Sequence, residues 1–455
     1  MVNTPYDTAR LQNHRTDPRD PASAVPARAG TDSDAGSRAD MPRAANAATG
    51  RIASHGAMYR HRSGVLLVVL AALVAVLVAV LVGRGVREHG GSNSYALLAE
   101  ALLSGRPYVD RCFEVDCALV NGHQYIVFPP LPAVVMMPFV LVSGSQAACF
   151  TFVAIVAAAI ALALWWRIIG RCGVRGQARV WLLCAIACAS PLYYVTLRSS
   201  TIWCFAQAIA FPLLTLAIHE AQAGRLIRSG LALGGAFLCR QMSIFYAPIL
   251  LVLALPDGAP LLAINRTMIG RAMRLGVPVL CAVACYLAYN YWRFGALMDT
   301  GYFQINFPGN VTGPRVAQYG VWNVHYVLFN AFYMFLQGFH VDFADPQRVH
   351  IVGMDAGGTA LLAASPWLLF LFFTPPRRVY LLCATLVTAF VVVLLFYHSN
   401  GFAQYNTQRY ALDWIPAALL MLAGALRQRD TIEFRLLVLW GATLNVATVF
   451  VLAHT

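Results

Sequence analysis

Between Val65 and Val82 the chain runs for 18 residues without one ionisable side chain. That is close to the ~20 residues needed to cross a hydrocarbon layer ~30 Å thick. Backbone N–H and C=O groups inside lipid must bond one another, so such a run has to be a helix. The period-two alternation of a membrane barrel is absent. Similar apolar runs recur near 147–168, 180–197, 201–220, 229–239, 243–255, 275–293, 358–373, 379–397, 410–426 and 433–453. The pattern predicts an all-α, polytopic helical membrane protein with about 11 transmembrane helices. The segments 229–239 and 243–255 are short and are expected to form a shallow helical hairpin. Composition agrees: 59% of residues are hydrophobic and 12% charged, against roughly 25% charged in soluble domains.

The formal net charge is +13, and the chain has no lysine. In a soluble protein that excess would point to nucleic acid. Here the arginines sit at the ends of apolar runs, no base-reading module is present, and the charge reads as a topology signal. Residues 129–144 decide the topology. They look like a span, yet they hold 16 residues and four prolines. If they crossed, the basic connection Arg167, Arg171, Arg175 and Arg179 would fall outside. If they lie along the outer surface, the Arg-bearing connections at 167–179, 225–228, 266–274, 377–378 and 427–435 all fall on the cytoplasmic side. The positive-inside rule selects the second arrangement, with 129–144 a juxtamembrane or re-entrant helix. Most acids then sort to the outer side, in two long loops near 84–146 and 294–357. The N-terminus is expected in the cytoplasm and the C-terminus outside the cell's inner membrane.

Residues 1–57 are rich in Ala, Arg, Asp, Pro and Ser and nearly lack large apolar side chains. They are expected to form a disordered cytoplasmic tail and not a signal peptide, with the membrane domain spanning 58–455. Most of the 11 cysteines lie inside apolar segments as small hydrophobes. Cys112 and Cys117 lie in a polar outer loop instead, where a disulfide and two free thiols are both open.

Several residues in the outer loops can carry chemistry. The stretch 92–103 places Tyr95, Leu98, Ala99 and Leu102 on one face, which suits a helix lying on the membrane. Asp110, Arg111, Glu114 and Asp116 follow, then Asn121-Gly122-His123 and Tyr125, with Gly122 placed for a tight turn. An acid near the membrane face can serve as a general base or hold a divalent cation. Equally, these are acids of a solvated loop. Arg409 and Asp413 are four apart and are expected to pair on one helix face. They either bind a lipid phosphate or pin the helix end. Arg240, at the tip of the 229–255 hairpin, reaches headgroup level or simply snorkels there. Arg198 and Arg293 are weaker candidates of the same kind. Trp292, Phe294 and Tyr302 are interface aromatics that can also stack on a sugar. His340, Asp342, Asp345 and His350 are a weak cation set whose spacing fits no standard site. Asn310-Val311-Thr312 is a glycosylation sequon.

Taken together these pieces resemble the GT-C class of membrane glycosyltransferases, in the bacterial branch related to protein mannosyltransferases and lipid A aminoarabinose transferases. The resemblance covers most of residues 60–455. It lies in Tyr95-Ala96-Leu97-Leu98-Ala99-Glu100-Ala101-Leu102-Leu103-Ser104-Gly105, Asn121-Gly122-His123-Gln124-Tyr125 and Phe128-Pro129-Pro130-Leu131-Pro132. Further likenesses are Gly234 to Arg240, Asn290 to Gly295, and Gln408-Arg409-Tyr410 with Asp413. The resemblance implies a polyprenyl-phosphate-linked sugar as donor and inverting transfer to an acceptor hydroxyl. It implies an acidic base early in the first outer loop, phosphate binding by Arg240 and Arg409 with Asp413, and substrate contacts from Asn93, Tyr95, Tyr125 and Tyr302. The chain departs from the pattern just before Tyr95. There it reads Gly90-Gly91-Ser92-Asn93-Ser94, and Asn93 cannot take a proton. Asp110 or Asp116 is then the expected base. A non-catalytic lipid-binding or scaffold protein of the same fold is a second expectation. A carrier, which would need ionisable positions within several spans, is a third.

Overall fold

Two of the helices predicted from hydropathy stop well short of a membrane's thickness, and their truncation shapes everything above them. A computed structural model of the chain describes residues 43–453 except 92, 148, 257–264, 306–311, 356, 401–403, 405–407 and 428–430. The chain divides after Tyr59. Of the first unit only helix is described, from Arg43 onward. The part of the expected tail up to residue 42 lies outside the described residues. Residues 43–57, expected to be disordered, are helical instead. Alanine, the strongest helix former, recurs through this stretch, and the helix continues into the first span.

In chain order the helices and strands begin with α1 (Arg43–Val86), α2 (Ser94–Leu103), β1 (Cys117–Val120), β2 (His123–Ile126) and α3 (Leu131–Ser143). Then come α4 (Phe150–Arg171), α5 (Gly176–Cys188), α6 (Pro191–Leu197), α7 (Ile202–Gln222), α8 (Leu226–Phe237), α9 (Ala247–Leu253) and α10 (Arg266–Phe294). The second long loop holds α11 (Gly313–Tyr319), α12 (Val327–Ala331), β3 (Val341–Phe343) and β4 (Ile351–Met354). The chain finishes with α13 (Leu361–Ala364), α14 (Arg378–Phe396), α15 (Ile415–Leu426) and α16 (Ile432–Ala453).

The protein is a polytopic helical membrane protein. Six helices among the described residues are long and apolar enough to cross: Ser63–Val86 of α1, then α4, α7, α10, α14 and α16. The pair α5–α6, bent by 42°, makes a seventh. The break falls at Ser190-Pro191, where the serine hydroxyl accepts from Leu192 N at 3.1 Å and restarts the helix. The other four predicted spans are short or broken. Segments 226–237 and 415–426 are 12-residue helices, 247–253 follows a 3-10 turn, and 366–373 is itself 3-10.

The ends of the helices sort as the arginines predict. At one end Arg171 donates to the His219 carbonyl at 2.9 Å, Arg225 binds Glu220, and Arg427 packs against Gly173. The opposite end gathers the acid-bearing loops, with Glu88 accepting from Thr151 N at 2.8 Å. The first loop's α3 has both termini at this acid-bearing end. Leu131 N bonds the Leu238 carbonyl at 3.2 Å, and Gln146 lies so close to Gly90 that a side chain there would overlap its carbonyl.

The core is a continuous apolar cluster containing Trp165, Trp181 and Trp367, all fully buried. Contact between α8 and α10 depends on small residues. A β-carbon on Gly230 would stand 2.3 Å from the Leu275 carbonyl oxygen, and one on Gly234 2.9 Å from Ala282 Cβ. Backbones approach this closely in membranes only where side chains are small. Gly276, one position past Leu275, has open space around it. Gly230→Ala is therefore expected to destabilise by about 1–3 kcal/mol through overpacking, and Gly276→Ala to be neutral or better. Thermal unfolding of the detergent-solubilised variants checks the contrast.

Candidate functional site

α8 starts and α15 ends at the arginine-rich end, and each has 12 residues. Each therefore rises roughly 18 Å, of the ~30 Å needed to cross. Arg240 follows the end of α8 and Asp413 precedes α15, so the two meet where both short helices stop. Arg240 Nε donates to Asp413 Oδ1 at 3.1 Å, and its Nη2 donates to Oδ2, a two-pronged pair. Their side chains are 19% and 12% exposed. Tyr246 braces the pair: its hydroxyl donates to the Asp413 carbonyl at 3.0 Å and accepts from Ala417 N at 3.3 Å.

Arg409 is buried beside them. Its main chain is held at both groups, by Gln404 Oε1 at 2.8 Å and by Gln207 Nε2 at 3.0 Å. Its Nη2 donates to the Tyr410 hydroxyl at 3.2 Å. The expected Arg409–Asp413 pairing is replaced by Arg240–Asp413. Residues 409–413 form a 3-10 turn, and with three residues per turn positions four apart do not share a face.

The first outer loop closes over this recess. Asn121 and Gly122 both adopt positive φ, 51° and 80°, and turn β1 back on β2. A disulfide joins Cys112 to Cys117 and closes the loop that carries Glu114 and Asp116. Asp116 accepts from Trp203 Nε1 at 2.5 Å. Burial pushes its carboxyl above the usual range, against the pull of the Trp203 hydrogen bond and the charge of Arg409. The half-buried phenol of Tyr302 is also pushed up by burial and lies in the fields of both Arg240 and Asp116. The same two charges act on Tyr397. Asp116, Arg240, Arg409, Tyr302 and Tyr397 thus share one electrostatic neighbourhood. The fully buried Tyr95 borders it: its hydroxyl has no hydrogen-bond partner among the described residues and lies in the field of Arg240.

Other expected residues fall elsewhere. Asp110 is 79% exposed and pairs with Arg106 at 3.3 Å, in a surface cleft with Glu100 and Arg111. Asn93 caps α2, accepting from Tyr95 N at 2.9 Å and donating to the Ser199 carbonyl at 3.3 Å. Its amide is thereby committed to the frame. Tyr125 is packed between the rings of Tyr108 and Phe294. Arg293 is a strut: it donates to the Ile126 carbonyl and to Asn290 Oδ1, each at 2.6 Å, beneath the Tyr289 ring. Arg198 sits half-buried at the end of α6, and Trp292 is exposed as a belt residue. His340 approaches Asp342 and His350 approaches Asp345, as exposed pairs. No group of three or more His, Cys, Asp or Glu able to hold a metal ion occurs among the described residues. The sequon residues Asn310 and Val311 lie outside the described residues.

Glu114 was grouped with the outer acids by sequence, yet it is buried, with three donors on its carboxylate. Its apolar flanks, Phe113 and Val115 inside the cysteine bracket, were the available signal.

Two solved structures that align with the chain are of ArnT from Cupriavidus metallidurans. The one bound to undecaprenyl phosphate has 17% sequence identity and a TM-score of 0.47. The one in the apo state has 16% and 0.44. Each alignment covers 79% of this chain and 60% of that chain, so this chain spans about three-fifths of the structures it matches. No family model matches the chain, and no curated protein does.

Two outcomes are expected from this geometry. Alkylation of the unfolded, unreduced protein should label nine of 11 cysteines, and reduction should release the remaining pair. Arg240→Ala should cost about 3–5 kcal/mol by stranding the Asp413 carboxylate. The double replacement Arg240→Ala with Asp413→Ala should recover much of that loss in thermal unfolding.

Proposed function

We propose that this chain is an integral-membrane glycosyltransferase. It moves a sugar from a polyprenyl phosphate to an acceptor hydroxyl on the non-cytoplasmic side of the cell's inner membrane. The observation that carries this reading is that Asp116 lies in the field of Arg409, with Tyr302 and Tyr397 in the fields of both Asp116 and Arg240. The orientation follows from two arguments. Arginine-rich connections stay in the cytoplasm, and a disulfide persists where the compartment is oxidising. That puts the N-terminus inside and the C-terminus outside.

In this mechanism the donor's phosphate sits against Arg240 and Arg409. Asp413 holds the Arg240 guanidinium in place, and Tyr302 and Tyr95 offer hydroxyls from the facing wall. Asp116 takes the proton from the acceptor hydroxyl as its oxygen bonds to the anomeric carbon. The bond from that carbon to the phosphate oxygen breaks, and polyprenyl phosphate leaves with its charge held by the guanidinium groups. Attack from the face opposite the leaving group inverts the anomeric centre. Burial suits Asp116 to the task, because a base with a raised pKa gains proton affinity. The absence of an acid at Asn93 favours a second reading, a lipid-binding protein of the same architecture that takes polyprenyl phosphate without turnover.

The test is release of polyprenyl phosphate from a panel of polyprenyl-phosphate sugars by the purified protein. Asp116→Asn is expected to lower the rate about 10²–10⁴-fold, Arg409→Ala to weaken it strongly, and Asp110→Asn to leave it near wild type. Release unaffected by Asp116→Asn and Arg409→Ala would remove this site from the chemistry. Tight binding of the lipid with no release from any donor would select the second reading.

A further inference from the structure

We propose that Glu114 is the positioning carboxylate of this site, a buried clamp that ties the starts of α2 and α7 together and so sets Asp116 and Tyr95 against the Arg240–Arg409 wall. The inference builds on the transferase reading above and adds a residue that reading does not use.

Both oxygens of Glu114 face donors. Oε1 accepts from Ile202 N, the first residue of α7, at 3.2 Å. Oε2 accepts from Ser94 N, the first residue of α2, at 3.1 Å, and from the Ser94 hydroxyl. The Ser94 oxygen itself accepts from Phe113 N at 3.1 Å, which commits its hydrogen to Glu114. One carboxylate thus serves two helix N-termini, where the aligned peptide dipoles favour negative charge. The neighbouring residues finish the clamp. Trp203, next along α7, holds Asp116, and Tyr95, next along α2, lies in the field of Arg240. The Cys112–Cys117 bridge brackets the segment that carries both acids.

This arrangement also accounts for Asn93. A carboxylate is present at the start of α2, but it arrives from 20 residues downstream. An aspartate at position 93 would add a second buried negative charge at the same helix end. A neutral amide caps the helix without that repulsion.

Three donors hold the Glu114 carboxylate, which assigns it to positioning and not to taking the substrate's proton. Its protonated form is a weaker acceptor toward those donors. Burial, opposed mainly by the Ser94 hydrogen bonds, raises its pKa to about 7. The clamp is therefore strongest above that pH and weakens below it. The charged groups around it are few. Asp116 is two residues on and turned to Trp203. Arg198 belongs to the turn before α7, and Arg84, from the last turn of α1, reaches the Ser200 hydroxyl of that turn at 3.5 Å.

The experiment compares wild type, Glu114→Gln and Glu114→Asp in polyprenyl phosphate release across pH 5.5–9, alongside amide hydrogen exchange. Glu114→Gln should lower kcat about 10²-fold, the cost of a displacement near 1 Å, with donor KM within about twofold of wild type because the arginines are untouched. The limb near pH 7 in the wild-type profile should vanish in Glu114→Gln, and Glu114→Asp should restore part of kcat. Exchange at the first turns of α2 and α7 should rise together in Glu114→Gln while the middle of α7 stays protected. A Glu114→Gln protein with lower melting temperature but unchanged kcat and pH profile would overturn the proposal and leave the transferase reading intact. Wild type that releases nothing from any donor fails the transferase reading instead. The clamp then stands or falls on whether exchange at both helix starts rises together.

Discussion

The bidentate contact between Arg240 and Asp413 is the constraint on which the rest of the site depends. Two charges set below a membrane surface are tolerable only when each neutralises the other and its remaining hydrogen-bonding capacity is met. Here α8 and α15 stop early, so the chain breaks out of helix at the same depth on two sides. Irregular backbone at such a depth is acceptable where protein or a wet cavity surrounds it. Tyr246 and Gln241 meet part of that demand by bonding Asp413 and Tyr286. The pair therefore joins the ends of two half-length helices.

The first loop is assembled from modest parts that only work together. A tight turn at Asn121-Gly122, a disulfide, a helix cap and one buried carboxylate bring Asp116 within the field of Arg409. The second loop is stitched on by Asn330, whose amide donates to the carbonyls of Leu394, Leu395 and Tyr397 at the end of α14. That contact fixes Tyr397, and with it one wall of the recess.

Much of this was legible in the sequence. Arginine placement sorted the two ends correctly, because basic side chains mark helix ends whatever the packing. The short length of 229–239 was visible in sequence. At 415–426 helix length was not, since hydropathy averages over a span and cannot see where a 3-10 turn such as 409–413 replaces α-helix. The same turn misled the Arg409–Asp413 expectation, because a four-residue spacing implies a shared face only in an α-helix. Asp116 lies in the field of Arg409, while Asp110 pairs with Arg106 at the surface and Tyr125 packs between rings. Asp110 reads like Asp116 in sequence, and only tertiary packing separates an exposed acid from a buried one. Glu114 was visible as an acid but not as a helix cap, because its partners are 20 and 88 residues away.

The bridge between Cys112 and Cys117 has a consequence for when this protein becomes competent. On the proposed orientation, both thiols leave the ribosome into a reducing cytosol and meet an oxidant only after translocation. Until then the segment bearing the two acids is an open strand of loop. On that orientation, closure of the loop that carries Glu114 and Asp116 waits for export.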